Sequence, residues 1–427
     1  MAWVRIDPAI DLAQHIRPGD TITWGQTCAE PATLVEELVA QAEGIGDLRC
    51  FVGIPAQSAL TLDTVPASGL TVHSYCGAGT NAALHGAERL EIWPVHYSTL
   101  PALLSGGDFH ADVVLVQVSP PDEHGRHSLG LGDDYFSAAI DTARVVIAEI
   151  NDQVPFTLGA RTLGADQITA AVQVSRIPGE VPTPAVGDDS LAVARRVAEL
   201  VPDGATLQFG IGALPEAVLA ELFEHRDLGI HSGIINDTAM RLVEAGVANG
   251  TRKTNDPGVA IGGLFGGTRD LFAWAHRNPA VELRPTAYTH DPQVLATSYQ
   301  LVAINAAIEV DLTGQVNSEL AGGRYVGAVG GAVDFLRGAG RSAGGVPIVA
   351  LPSTARSRSG PVQRIVSRLS GPTSTPRSEG IVVVTEHGVA DLRGATLNQR
   401  VERMIAVADP AHRAELDARA DRVLASV

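Results

Sequence analysis

Two stretches of the sequence, RPGDTITWGQTCAEPATLVEEL (residues 17–38) and VPDGATLQFGIGALPEAVLAEL (residues 201–222), share one pattern. Each reads as a turn, a short β-rich strand, a glycine, a loop with a proline, and an amphipathic helix. Gly25 aligns with Gly210, and the proline of each stretch stands near a helix start, where its missing N–H costs nothing. The pattern predicts that the chain contains one α/β unit twice.

The repeat continues beyond these stretches. The segment DLRCFVGI (Asp47–Ile54) resembles DLGIHSGI (Asp227–Ile234), which places Gly53 opposite Gly233. A Pro- and Gly-bearing stretch, IPGEVPTPAVGDDS (Ile177–Ser190), is typical of a linker between the two copies. We therefore expect two domains, at residues 1–185 and 186–427.

Short apolar runs alternate with helical patterns in both halves. Runs such as ADVVLVQVS, ARVVIAEIN and GVPIVALPS are typical of strands buried on both faces of a parallel sheet. The alternation predicts an α/β fold with two related, open, mainly parallel sheets and helices packed outside them. Since such sheets bind ligands beyond the carboxyl ends of their strands, the loops that follow strands are the places to look for a site.

The composition limits the classes of partner. The 427 residues carry a formal net charge of −17, which disfavours nucleic acid because a polyanion requires a basic face. No apolar run approaches the roughly 20 residues that a bilayer span needs, and the first residues lack a signal-peptide pattern. The three cysteines, Cys28, Cys50 and Cys76, have no zinc spacing and no close pair. These features predict a cytoplasmic protein without a disulfide framework, a membrane partner or a metal.

Two glycine-rich loops are candidates for contact with a ligand. Residues 210–215 lack the third glycine of a dinucleotide fingerprint, so they indicate either a plain strand-to-helix turn or N–H groups around Ile211 that face an anion. Gly327, Gly330 and Gly331 precede a predicted helix. They are compatible with close approach of a ligand to the backbone and equally with a tight turn.

Charged side chains follow two later strands. Arg356, Arg358 and Arg364 form a local basic cluster in an acidic chain, which could hold phosphate or be a solvated loop. Glu386, in the stretch TEHG, stands at the carboxyl end of the apolar run GIVVV, as a functional carboxylate or as part of a polar turn. His124 and His127 have a spacing compatible with a metal pair, but no further ligand accompanies them, so an exposed turn is the better interpretation.

Several long motifs occur in an order that resembles the acetyl-CoA hydrolase/transferase family. They include VQVSPPDEHGRHSLG, LQFGIGALPEAVL, INAAIEVDLTGQVNSE, GAVGGAVDF and VVVTEHGVADLRG, and together they span nearly the whole chain. The resemblance implies the class I CoA-transferase fold of NagB/RpiA type, with the active site at the interface of two related domains. It also implies a coenzyme A ester as substrate, no permanently bound cofactor, and a homo-oligomer.

The resemblance assigns roles to particular residues. Family transferases use a glutamate that attacks the acyl-CoA thioester, in a segment resembling GIHTEM; the matching segment here reads GIHSGI, so Gly233 stands at the nucleophile position and His231 matches. Backbone N–H groups near Ile211 and at Gly330–Gly331 resemble the donors that stabilise the thioester oxyanion. Glu386 matches a family active-site glutamate.

Further residues match the family pattern, and one more differs from it. Gly327 and the arginines at positions 356, 358 and 364 match the part of the family site that holds coenzyme A. Ala332 stands where transferases have an amide side chain, a second departure beside that of Gly233.

Four functions are compatible with this pattern. The first is acyl-CoA hydrolysis, with a water in the space left by the missing side chain and Glu386 or His231 as general base. The second is transfer of CoA to a carboxylate acceptor through a relocated nucleophile such as Glu30 or Glu309. A lyase-type reaction of a CoA ester and a non-catalytic CoA-binding role are the third and fourth.

Overall fold

A computed structural model describes residues 10–57, 59–357 and 360–425, and the chain divides into two compact units. Unit 1 comprises the residues up to Pro182, Gly233–Met240 and Ile261–Asp291; unit 2 comprises Thr183–Ser232, Arg241–Ala260 and Pro292–Val427. The two units are therefore discontinuous in sequence, whereas the sequence predicted two contiguous domains.

Before residue 183, the described strands and helices are those of the first repeat. The strands are β1 (Thr21–Trp24), β2 (Arg49–Val52), β3 (Thr71–Ser74), β4 (Leu90–Ile92), β5 (Val113–Val118), β6 (His127–Ser128), β7 (Val145–Asn151), β8 (Thr162–Leu163) and β9 (Ala170–Val174). The helices are α1 (Ala32–Ile45), α2 (Thr64–Ser68), α3 (Asn81–Gly86) and α4 (Leu100–Gly106).

The rest of the chain holds the second repeat and shorter hairpins. Its strands are β10 (Thr206–Phe209), β11 (Gly229–Ile230), β12 (Ile234–Ile235), β13 (Ala260–Gly262), β14 (Leu264–Phe265), β15 (Val281–Leu283), β16 (Leu301–Ala306), β17 (Glu309–Asp311), β18 (Val316–Asn317), β19 (Leu320–Ala321), β20 (Arg324–Tyr325), β21 (Val346–Ala350), β22 (Thr354–Ser357), β23 (Gly360–Gln363), β24 (Ile365–Val366), β25 (Val382–Thr385) and β26 (Gly388–Asp391). Its helices are α5 (Asp188–Ala198), α6 (Ala213–Ala220), α7 (Asp237–Glu244), α8 (Arg269–Ala275), α9 (Thr286–Thr289), α10 (Pro292–Thr297), α11 (Ala332–Arg341), α12 (Leu397–Ala406) and α13 (Arg413–Ala425).

The main sheet of unit 1 is parallel throughout, in the order β4-β3-β2-β1-β5-β7-β9. Every residue of β5 and β7 is buried, as expected for central strands covered on both faces. Their continuous apolar character in the sequence follows from that burial. The hydrophobic core of unit 1 lies against this sheet and includes Ile22, Leu34, Leu38, Leu115 and Ile147.

The main sheet of unit 2 has the order β11-β10-β16-β21-β25-β26. Its strands are parallel except for β26, which returns antiparallel beside β25. The run β11-β10-β16-β21-β25 has the same connectivity as β2-β1-β5-β7-β9 in unit 1. The predicted fold class, two related α/β halves with mainly parallel sheets, is thus confirmed.

Local sequence and one distant carboxylate together explain where the first helix begins and ends. The buried residues of α1 include Leu34, Leu38, Ala42 and Ile45, which lie on one helical face. Its first N–H groups are satisfied from a distance, because the Glu149 carboxylate accepts hydrogen bonds from the N–H groups of residues 33 and 34 at 2.8 and 3.2 Å. A glycine at positive φ follows the last turn.

Two segments from the middle of the chain join unit 1 through backbone hydrogen bonds. Strand β12 pairs in parallel with β14, and the N–H of Phe265 donates to the carbonyl of Leu131 at 2.9 Å. The Thr27 hydroxyl donates to the carbonyl of Phe265 at 3.4 Å. These long-range bonds are the physical reason that the units differ from the contiguous domains predicted from sequence.

Two sequence-based expectations concern membranes and cysteines. Within the described ranges, none of the helices is long and apolar enough to cross a membrane. Cys28, Cys50 and Cys76 are buried free thiols, and burial raises the pKa of Cys50 to about 12.

Candidate functional site

In unit 2, the loops after β10, β21 and β25 lie at one edge of the sheet. These three strands and β16 run in parallel in the order β10-β16-β21-β25, so their carboxyl ends face the same side. The loop around Ile211 follows β10, Ser353 follows β21, and Glu386 follows β25. The fold therefore collects these loops at the edge where parallel sheets bind ligands.

The Glu386 carboxylate is held by hydrogen bonds from Ser353. The Ser353 hydroxyl donates to Oε1 of Glu386 at 2.5 Å, and the Ser353 N–H contacts both carboxylate oxygens, at 2.8 and 3.1 Å. The side chain of Glu386 keeps 14% of its surface exposed. It is thus a fixed carboxylate that solvent and a small ligand can still reach.

Glu386 lies in a tight turn rather than in a loop before a helix. Residues 386 and 387 join β25 to β26, with Thr385 paired to Gly388. Nε2 of His387 lies 3.5 Å from Oε1 of Glu386. The carbonyl of Glu386 accepts a hydrogen bond from Nε of Arg196 at 3.1 Å. Arg196 thus contacts the main chain of the turn, and Ser353 contacts the carboxylate. Together these contacts restrict the directions in which the carboxylate can point.

The loop at Ile211 presents main-chain donors. Ile211 is 53% exposed, and the next residue, Gly212, takes a φ of 117° immediately before α6. Among the described residues, no main-chain carbonyl accepts a hydrogen bond from the N–H of Ile211. An N–H without a main-chain partner, just before a helix, is a suitable donor for a developing oxyanion.

The three glycines before α11 lie in different backbone environments. A Cβ on Gly327 would lie 1.9 Å from the carbonyl oxygen of Ser318, so this glycine is required by the approach of two backbone segments of the protein itself. Gly330 has a φ of 57°, and Gly331 directly precedes the first turn of α11. All three are partly exposed, and their contact with a ligand stays a prediction.

His231 and Gly233 differ in exposure. His231 is fully buried, and its N–H donates to the carbonyl of Leu207 at 2.9 Å within unit 2. Gly233 belongs to unit 1 and is partly exposed; its carbonyl accepts hydrogen bonds from the N–H groups of Gly263 and Leu264 at 3.1 and 3.2 Å. Gly233 is not one of the described glycines with positive φ. Its backbone conformation is therefore one that a residue with a side chain can adopt.

The three arginines of the predicted phosphate-binding loop lie in different environments. Arg356 is exposed on the hairpin of β22 and β23, whereas Arg358 lies outside the described residues. The guanidinium of Arg364 donates to the carbonyls of Ala307 and Ile308. Burial lowers the pKa of Arg364 to about 10, and the charge of Glu386 acts in the opposite direction. Arg364 thus braces the main chain, and its contact with phosphate stays a prediction.

Two other carboxyl groups are candidates for a relocated nucleophile. Glu30, in unit 1, is 5% exposed, and burial raises its pKa to about 8. Oε1 of Glu309, in unit 2, accepts hydrogen bonds from Asn317, from both the N–H and hydroxyl of Ser370, and from the N–H of Gly371. Glu30 is protonated near neutral pH. Glu309 is held by hydrogen bonds from other residues of unit 2. Each is therefore a poor nucleophile.

Sequence reasoning missed Ser353 and Arg196. Ser353 stands three residues beyond the end of β21, in the position where functional side chains of parallel sheets occur, and that position was the available signal. Arg196 is on α5, and no feature of the sequence indicated its contact with Glu386. Within the described residues, no group of three or more His, Cys, Asp or Glu side chains could hold a metal ion.

Comparisons with known proteins add independent findings. The family models described as acetyl-CoA hydrolase/transferase N-terminal domain and C-terminal domain match residues 2–178 and 267–420. The chain is 40% identical over 344 residues to 4-hydroxybutyrate coenzyme A transferase of Clostridium kluyveri, covering 80% of each chain. It is 34% identical over 395 residues to succinyl-CoA:acetate/propanoyl-CoA:succinate CoA transferase of Fasciola hepatica, covering 91% of this chain and 82% of that one.

A solved structure has the same fold along almost the whole chain. The crystal structure of RipA from Yersinia pestis superimposes with a TM-score of 0.89 at 34% identity, covering 96% of this chain and 95% of that chain.

Proposed function

The chain belongs to the acetyl-CoA hydrolase/transferase family, and from that premise we propose that it hydrolyses acyl-CoA thioesters rather than exchanging CoA between carboxylates. The observation that carries the proposal is Gly233, which stands where the family resemblance places the nucleophilic glutamate. A glycine has no carboxylate with which to form the covalent intermediate of transfer.

Other carboxylates of the chain support the same conclusion. Glu30 carries a proton near neutral pH because burial raises its pKa to about 8, and a protonated carboxyl is not a nucleophile. Glu309 is held by Ser370, Gly371 and Asn317. Neither is an evident replacement for the missing glutamate.

Glu386 is the general base that we propose for activating water. Its carboxylate is oriented by Ser353 and remains partly exposed, which is what a base needs to accept a proton from a bound water. His231 is the weaker alternative because its side chain is fully buried.

The reaction then needs no covalent enzyme intermediate. The water oxygen attacks the thioester carbonyl carbon while Glu386 takes the water proton, and the N–H of Ile211 stabilises the oxyanion. When the intermediate collapses, the carbon–sulfur bond breaks, the thiolate leaves as CoA, and the proton returns to the sulfur. The products are a carboxylic acid and the free thiol of CoA.

A carboxylate CoA-transferase is the second candidate. It is favoured by the names of two similar proteins, which are CoA transferases. In this alternative, a carboxylate other than residue 233 would carry the acyl group and then CoA.

Release of free thiol distinguishes the two functions. The wild-type protein is mixed with acetyl-CoA, butyryl-CoA or 4-hydroxybutyryl-CoA, with and without acetate or succinate, and thiol and new CoA esters are both quantified. We expect thiol release that does not depend on the acceptor, and no CoA-sized adduct by intact-mass spectrometry. Acceptor-dependent exchange without thiol release would establish the transferase and exclude our proposal.

A variant pair links the activity to the proposed base. Glu386→Gln should abolish most thiol release, whereas Glu43→Gln, which changes an exposed glutamate of α1, should not. Equal activity of the two variants would exclude Glu386 as the base. We further propose that the protein is a cytoplasmic homo-oligomer that binds a CoA ester without a permanently bound cofactor, as the family resemblance implies.

A further inference from the structure

A cavity in unit 2 has no role in the proposed reaction. It has a volume of about 810 Å³ and is formed by four separate segments: the turn between β17 and β18, the residues after β24, the 3-10 turn Arg377–Glu379, and the last turns of α13. None of the residues assigned to thioester chemistry lines it.

Arginines dominate the lining of this cavity. Arg368, Arg377, Arg419 and Arg422 all line it. A fifth, Arg400, is adjacent, because its guanidinium donates to the carbonyl of Arg377 at 2.8 Å. We call these five residues the arginine cluster. They come from segments that are far apart in sequence, so their convergence is produced by the fold and not by a local basic run.

Among the described residues, the cluster has little matching negative charge. Asp311 is the one carboxylate in the described lining, and its two oxygens already accept hydrogen bonds from Thr313 and Gln315 of its own turn, at 2.7–3.0 Å. Arg419 pairs with Glu415. In the part of the chain that the structure describes, Arg368, Arg377 and Arg422 pair with no carboxylate.

Two members of the cluster, Arg377 and Arg400, are close enough to influence one another. Burial lowers the pKa of Arg400, and the positive charge of Arg377 lowers it further. Like charges that a fold brings together repel one another, and a ligand of opposite charge that binds the folded state offsets that repulsion. In a chain with a net charge of −17, four arginines in the lining of one cavity and a fifth beside it are the feature that requires an explanation.

We propose that the arginine cluster binds the di- or triphosphate group of a small molecule. Guanidinium forks bond phosphate oxygens in a bidentate manner, and four arginines from three separate segments of the chain line this cavity. The volume of about 810 Å³ lies within the range of about 300–1,000 Å³ that is typical of small-molecule sites. The site is separate from the thioester chemistry, so the proposal does not depend on the proposed function.

Calorimetric titration of the full chain with inorganic pyrophosphate and with ATP tests the site. We expect one site per chain, and at least a tenfold rise in the dissociation constant when Arg368 and Arg422 are both replaced by alanine. Arg341→Ala combined with Arg89→Ala is the matched control. Like Arg422, Arg341 is an exposed arginine in the last turn of a helix, and both double variants remove the same charge.

A third titration, with free CoA, identifies the source of the phosphate group. If the cluster binds the diphosphate of CoA, the wild-type protein binds two CoA molecules per chain and the Arg368/Arg422 variant binds one. If it binds a nucleotide instead, ATP competes with pyrophosphate and the CoA stoichiometry is the same in both proteins.

Three results would overturn the proposal. They are the absence of pyrophosphate and ATP binding by the wild-type protein, equal weakening of binding in the two double variants, and a change of oligomeric state in place of a change in phosphate binding. The last result would identify the cluster as a protein interface. Thiol release is measured on the same samples, and its absence would count against the proposed hydrolysis without affecting the phosphate titration.

Discussion

Ser353 binds the Glu386 carboxylate through both its hydroxyl and its N–H, with donor–acceptor distances of 2.5 and 2.8 Å to the two oxygens. The two residues follow neighbouring parallel strands and are 33 positions apart in sequence. One serine thus determines the direction in which the proposed base points. Since its observed role is to hold the carboxylate, we regard it as a positioning residue.

Replacement of Ser353 by alanine tests that role. A hydrogen bond to a charged group contributes about 1.5–3 kcal/mol, so we expect kcat for thiol release to fall roughly tenfold to a hundredfold, with little change in KM. Ser353→Thr, which keeps a hydroxyl, should recover part of the loss. Ser374→Ala is the control, because the Ser374 hydroxyl also donates to a buried carboxylate, that of Glu319, at 2.7 Å. A loss of kcat in both alanine variants would indicate a general effect on the fold.

Replacement of Gly233 by glutamate should restore the chemistry of transfer. A residue with a side chain in the left-handed region is strained by about 1–2 kcal/mol. Gly233 does not take a positive φ, so a glutamate at this position avoids that backbone strain. We expect a borohydride-sensitive CoA adduct by intact-mass spectrometry, and acceptor-dependent exchange with acetate or succinate. Ala332→Gln in the same background should increase the exchange.

Gly233→Gln is the matched variant for that experiment. It has the same shape as glutamate but no nucleophilic oxygen anion, so it should form no adduct. If Gly233→Glu folds and binds CoA esters but also forms no adduct, position 233 is not the nucleophile position in this chain.

Glu30 should make the stability of the protein depend on pH. Burial raises its pKa from 4.5 to about 8, and the N–H groups of Gln57 and Ala56 offset part of that rise. The folded chain therefore keeps a proton that the unfolded chain loses above its lower pKa. The stability contributed by this proton is complete below about pH 4.5 and is lost as the pH rises to about 8, with a slope of at most about 1.4 kcal/mol per pH unit.

Urea denaturation between pH 5 and pH 8 measures this dependence. Glu30→Gln should make the free energy of unfolding less dependent on pH, and should be most stabilising relative to the wild type at pH 8. Glu43→Gln, at an exposed position of α1, should leave the dependence unchanged. An unaltered pH dependence in Glu30→Gln would contradict the assignment of the proton to this residue.

Arg364 and Arg356 should respond differently to substitution, although both were predicted to hold phosphate. Arg364→Ala leaves the carbonyls of Ala307 and Ile308 without their donors, and each unsatisfied buried group costs about 1–3 kcal/mol. We expect a clear loss of stability in urea denaturation. Arg356→Ala changes an exposed side chain and should leave stability within about 0.5 kcal/mol of the wild type.

Calorimetric titration with CoA completes that comparison. If the exposed hairpin holds phosphate, Arg356→Ala weakens CoA binding in a protein of normal stability. Normal CoA binding by Arg356→Ala would place the phosphates elsewhere, and normal stability of Arg364→Ala would show that its main-chain bonds contribute little.

The sequence by itself determined the fold class and the edge of the sheet where a site could form. Strands covered on both faces appear as continuous apolar runs, as in β5 and β7, and alternation with amphipathic helices restricts them to parallel sheets. The repeat of one strand–loop–helix pattern predicted two related halves, and the two sheets share a strand order. Glu386 was identified because it directly follows a strand, and Ile211 because it lies in a glycine-rich loop and matches the family resemblance.

Only the tertiary structure decided which distant residues meet. The attachment of Gly233–Met240 to unit 1, the bond between Ser353 and Glu386, the bracing of the main chain by Arg364 and the convergence of the arginine cluster all depend on strand register and side-chain packing between remote segments. Local patterns of hydrophobicity and turn residues encode which elements form and which face they bury. They do not encode the partner of a particular polar side chain, because that partner is set by how the finished elements align.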